Sequence, residues 1–151
     1  FAERRSIGQG FRWRHQIAVA AFGINGETQL VDVRTPHIGG MPEFFTLRGA
    51  ELSVNNAQLG YTSHPINSRN LDMGLAGDFD GDGKPELVVT DQQRQTVTAV
   101  VNTEQGVQLA WALPLDGQLT SNLAAIAMPE GGAALAAGTS NGVLHLWTST
   151  E

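Results

Sequence analysis

The chain of 151 residues is 41% hydrophobic and 16% charged, which suits one domain with a buried core. Its formal charge is −6, and four of its nine bases, Arg4, Arg5, Arg12 and Arg14, fall in the first 14 residues, so residues 15–151 carry five bases against 14 acids. Such a body repels phosphate backbones and anionic lipid, the lack of Cys excludes disulfides and thiolate metal sites, and no apolar run reaches the roughly 18–20 residues of a membrane-spanning helix.

In chain order, short β-type runs are expected at 16–22, 29–34, 43–48, 51–55, 72–77, 86–90, 96–102, 107–113, 123–128, 133–138 and 143–148. Gly and Pro punctuate them, and no segment holds a helical apolar period for three turns. The expectation is an all-β protein.

A shift of 57 positions superposes Phe22 on Phe79, Gly26 on Gly83, Leu30 on Leu87, Val31 on Val88, Gly49 on Gly106 and Leu52 on Leu109. Each copy reads as a four-stranded antiparallel meander. A third copy starts at Asn122, turns at Gly131 and Gly132 and again at Asn141 and Gly142, and lacks a fourth strand. The repeats run approximately over 11–57, 68–114 and 119–151 of a single domain. Tandem four-stranded units predict β-propeller blades, about three here, whereas closed propellers use about 4–8. The chain is therefore expected to be a fragment, or to meet further blades or a protein partner at its open ends. A β-sandwich is the other architecture that repeated meanders permit.

The second copy contains Gly77-Asp78-Phe79-Asp80-Gly81-Asp82-Gly83-Lys84-Pro85-Glu86. Asp78, Asp80 and Asp82 at alternate positions, the Lys84 carbonyl and Glu86 at the ninth position can supply the hard oxygens that Ca²⁺ prefers. The twelfth position is Val89 in a strand run without flanking helices, so the loop is not an EF-hand. The same residues also suit a plain Asp/Gly turn with no metal. The run GDFDGDGKPELVV resembles the FG-GAP repeat, also called the VCBS-type repeat, of integrin-α-like propellers. The resemblance implies one Ca²⁺ held by Asp78, Asp80, Asp82 and Glu86 in the loop between the first two strands of a blade. The first copy, residues 21–29, keeps the turn and lacks these acids, and so does the third around Met128 and Glu130, so neither is expected to bind metal.

Two loops stand outside the repeat, 34–40 and 63–72, each with a His, an Arg and a Pro. Arg34, His37, His64 and Arg69 are candidate rim residues for a carboxylate, sulfate or sugar acid, the alternative being turn-forming and inter-blade contacts. His15 and His145 alternate with apolar neighbours and are expected to pack; Trp13, Trp111 and Trp147 offer either sugar-stacking faces or packing. Motifs of serine hydrolases, nucleotide-binding loops and zinc proteases are missing. The expected function is a calcium-binding structural or protein-interaction module without enzyme activity. The alternative is a calcium-dependent carbohydrate-binding module, or part of a polysaccharide-active enzyme. Calcium levels that suit such a loop, together with the resemblance, point to an extracytoplasmic location.

Overall fold

The computed structural model describes residues 2–4, 6–8, 10, 13–129 and 132–149. Arg5 and Arg12 of the basic N-terminal group, and Glu130 and Gly131 of the third copy, lie outside the described residues. Twelve strands and no helix are present among those described. They are β1 (Arg14–Ala20), β2 (Gln29–Arg34), β3 (Met41–Arg48), β4 (Glu51–Ala57), β5 (Tyr61–Thr62), β6 (Leu75–Gly77), β7 (Glu86–Asp91), β8 (Thr96–Thr103), β9 (Gly106–Pro114), β10 (Ala124–Ala127), β11 (Ala133–Gly138) and β12 (Leu144–Thr148).

The first sheet is the antiparallel meander β1-β2-β3-β4, and the third is β10-β11-β12, without a fourth strand. The second continues from β7 through β8 to β9, while two short strands share the other edge of β7. Tyr61 and Thr62 pair with Asp91 and Thr90, and Leu75, Ala76 and Gly77 pair with Val88, Leu87 and Glu86. The inner strand of this blade is thus interrupted. Residues 72–74, expected as strand, are instead the end of a loop that leaves the sheet after Thr62 and returns at Leu75. Its return is fixed by the Met73 amide donating to the Ser63 carbonyl at 2.9 Å.

Strand alternation builds the two cores. Leu87 and Val89 of β7 face Phe22, Val31, Val33 and Phe44 of the first blade, whereas Val88 faces Met73, Leu119, Leu123, Leu135 and Ala137 toward the third. Both faces of β7 are covered, which explains its unbroken apolar run. Across the first interface, the Asn102 amide donates to Gln29 at 2.9 Å and the Gln29 amide to Thr46 at 2.9 Å, a ladder that satisfies polar groups between stacked sheets. The stack is that of propeller-like blades.

The free side of each end blade differs. On the first, Asp32 and Glu43 are register partners and both buried, a repulsive pairing that Arg14 offsets by contacting Asp32 at 3.0 Å and Glu43. Burial pushes the Asp32 carboxyl up to about 6 despite that partner. Arg4 and Arg14 lie 5.4 and 5.5 Å from the Phe45 ring centroid, so these two bases lie against the first blade. On the third blade, Ile126, Leu144 and Leu146 are exposed on one apolar face.

Candidate functional site

The acidic loop is closed by the pairing of Gly77 with Glu86, and its return is made by Gly81 and Gly83 at φ of 81° and 85°, a region that side chains disfavour. Its carboxylates organise the backbone. Asp78 accepts the Gly81 amide at 2.7 Å on one oxygen and the Gly83 amide at 2.9 Å on the other. Asp80 accepts from Asp82 at 3.1 Å, and Asp82 from Lys84 at 2.7 Å. Each of Asp78, Asp80, Asp82 and Glu86 offers one oxygen to a group whose members all lie within 4.8 Å of one another.

Glu86 differs from the other three. It is fully buried, its Oε2 accepts the Phe79 amide at 2.7 Å, and its Oε1 is buried without a partner. Burial, reinforced by Asp80, Asp78 and Asp82, pushes its carboxyl up to about 7 against the opposing Phe79 N–H. No Lys or Arg forms an ion pair with any of the four among the described residues. An orphaned buried carboxylate oxygen beside three more carboxylates fits a hard divalent cation and is otherwise costly. The first copy is different in kind: Glu27 there receives the Asn25 amide at 3.0 Å and closes a simple turn.

Of the four rim candidates, the fold brings together His37 and His64, with ring centroids 6.2 Å apart. Arg34 turns to Glu43, 3.0 Å away, and to the Met41 sulfur at 2.9 Å. Arg69 is exposed and has no hydrogen bond or ion pair among the described residues. Two residues read as packing or stacking groups complete the cluster: Trp13 lies 4.2 Å from His37 and 5.6 Å from His64, and His15 lies 5.6 Å from His64.

His15 also links the blades. Its Nδ1 lies 2.8 Å from Ser63 Oγ and its Nε2 lies 3.5 Å from Asp72 Oδ1. That order of groups repeats the connectivity of a hydrolytic triad; Ser63 is fully buried, and the contact pins the loop of residues 63–74 to β1. Sequence reading singled out His64 and Arg69 within the loop of residues 63–72 but had no local signal for His15, Trp13, Ser63 or Asp72 as partners of His64. The other two Trp pack: Trp111 meets Phe79 edge-on at 6.2 Å, and Trp147 stacks on His145 at 5.3 Å, which in turn contacts Asp116 at 2.8 Å. Both border a cavity of about 290 Å³ between the second and third blades.

Fold and site together define an all-β protein of stacked, propeller-like blades with a carboxylate loop joining β6 to β7. The second blade carries an FG-GAP repeat: residues 74–101 match that family model, from just before β6 through the acidic loop and β7 into β8. No curated protein and no solved structure matches the chain. The repeat supports a propeller-like structural or interaction module, and no helix is long and apolar enough to cross a membrane among the described residues.

Proposed function

We propose that the protein is a calcium-binding, propeller-like module whose role is structural or protein-recognising rather than enzymatic, and that it works outside the cytoplasm. The observation that carries this reading is Glu86, fully buried with one oxygen unpartnered beside Asp78, Asp80 and Asp82. Those four side chains and the Lys84 carbonyl would hold one Ca²⁺, which supplies the positive charge that neutralises them. The chain's own part is to pre-shape the loop through the Asp78, Asp80 and Asp82 turns and to anchor it to β6 and β7. Filling the site would lock the inner edge of the second blade. The weak calcium affinity typical of extracellular modules supports the extracytoplasmic assignment.

The partner side of the reading rests on the third blade. Ile126, Leu144 and Leu146 are 70%, 74% and 68% exposed and share one face, which suits a further blade or a protein partner. The test is a pair of thermal melts, one in excess Ca²⁺ and one in EDTA. Binding to the native state alone stabilises by about 2.7 kcal/mol at a hundredfold excess over Kd. Coincident melts would reduce the loop to a turn and remove the main support for the location.

A further inference from the structure

Three of the chain's four histidines come from separate parts of the fold and cluster, His15 and His64 on the wall of one cavity and His37 beside His64. His15 belongs to β1, His37 to the turn between β2 and β3, and His64 to the loop after β5. The cavity, about 410 Å³, is bordered by Trp13, Arg14, His15, His64, Leu71 and Asp72. His64 is only 4% exposed, yet neither of its ring nitrogens has a hydrogen-bond partner, and the Nδ1 of His37 is likewise buried and unpartnered. Buried imidazoles are normally satisfied, so this one needs an occupant.

The geometry around His15 indicates which. Ser63 holds its Nδ1 at 2.8 Å and thereby aims Nε2 toward Asp72, whose Oδ1 lies 3.5 Å away. That separation is long for an N–H···O hydrogen bond. It matches the spacing of about 3.3–3.4 Å between two ligands on one tetrahedral ion with bonds of about 2.0–2.1 Å. A hydrogen bond on the far nitrogen of a ligating imidazole is also the usual outer contact in such sites. Arg14, the only other charged group on the cavity wall among the described residues, is held by Asp32 and Glu43.

We propose that His15, His64 and Asp72, with His37 beside them, form a site for a zinc-type divalent cation. Imidazole nitrogen selects such borderline-soft ions, whereas an all-oxygen set like the acidic loop selects Ca²⁺. Among the described residues only the acidic loop already gathers its donor atoms within reach of one ion, so here Asp72, 68% exposed at its side chain, has to swing in to close the set. Trp13, lying against His37 and His64, screens the site from one side.

The experiment is a titration of the calcium-saturated protein with ZnCl2, read by calorimetry and by NMR of the histidine rings. One zinc per chain is expected, with the His15 and His64 resonances moving and that of His145 unmoved. Co²⁺ in its place should show the visible absorption of a tetrahedral ion. Asp72→Asn and His64→Gln should each weaken zinc binding at least tenfold with the far-UV circular dichroism unchanged. Should His64→Gln fail to fold, Asp72→Asn and the ring resonances decide. Absence of saturable binding, equal affinity in Asp72→Asn, or a response confined to His145 would overturn the proposal. The proposal stands apart from the calcium reading: zinc titration of Asp80→Ala removes the acidic loop as a competitor, so the two can fail separately.

Discussion

Glu86 accepts the Phe79 amide hydrogen at 2.7 Å on one oxygen and buries the other without a partner. One residue therefore couples the shape of the acidic loop to the start of β7, and its unused oxygen sits among the Asp carboxylates. The fold tolerates this only if the carboxyl is protonated or a cation arrives.

Glu86→Gln separates those two states. The amide oxygen can still accept from Phe79, but the charge that draws a cation is gone. In EDTA the variant is expected to melt at or above the parent, and the calcium-dependent gain, about 2.7 kcal/mol at a hundredfold excess over Kd, should vanish. Melting curves with and without Ca²⁺ check both halves; an undiminished calcium response would remove Glu86 from the site.

Asp80→Ala deletes a central carboxylate and frees the Asp82 amide it holds at 3.1 Å. Amide hydrogen exchange in the loop of residues 78–85 should quicken in calcium, with the strands β8 and β9 unaffected. Equal protection in parent and variant would show that Asp80 orders nothing.

Acid should loosen the junction of the first two blades. Burial holds His64 below the ordinary histidine value, with His15 and His37 adding to the shift, and burial lowers His15 against the pull of Asp72. A histidine lowered in the folded state takes up its proton first in the unfolded chain. Its stabilising effect is whole above the unfolded value of about 6.5 and is lost as pH falls below it. Urea midpoints at about pH 7.5 and about pH 5.5 should differ more for the parent than for His64→Phe; an equal pH slope in both would clear His64 of the effect.

Arg14→Ala leaves Asp32 and Glu43 buried as register partners, Asp32 without its contacting cation and Glu43 with Arg34 alone. Breaking such a buried group costs about 3–5 kcal/mol, whereas removing the second charge as well restores much of the loss. Chemical denaturation of Arg14→Ala, and of Arg14→Ala with Asp32→Asn, measures this; additive losses would mean that the charges do not interact.

What the sequence determined by itself is local. The acidic loop was legible because its contacts join residues at most nine apart, so the Asp spacing and the two Gly already specify the turn and the oxygens. The blades were legible because strand alternation repeats at a shift of 57 residues, and a buried run such as that of β7 needs a sheet on both sides. Only the tertiary structure decided the rest. Alternation cannot tell that Tyr61 and Thr62, rather than residues 72–74, complete the edge of β7, since both segments satisfy the pattern and the choice rests on where the intervening loop packs. The cluster of Trp13, His15, His37, His64 and Asp72 was equally hidden, because its members are up to 59 positions apart and meet only when the first blade stacks on the second. Stacking is driven by the apolar core beneath them, which has no record in the spacing of the histidines themselves.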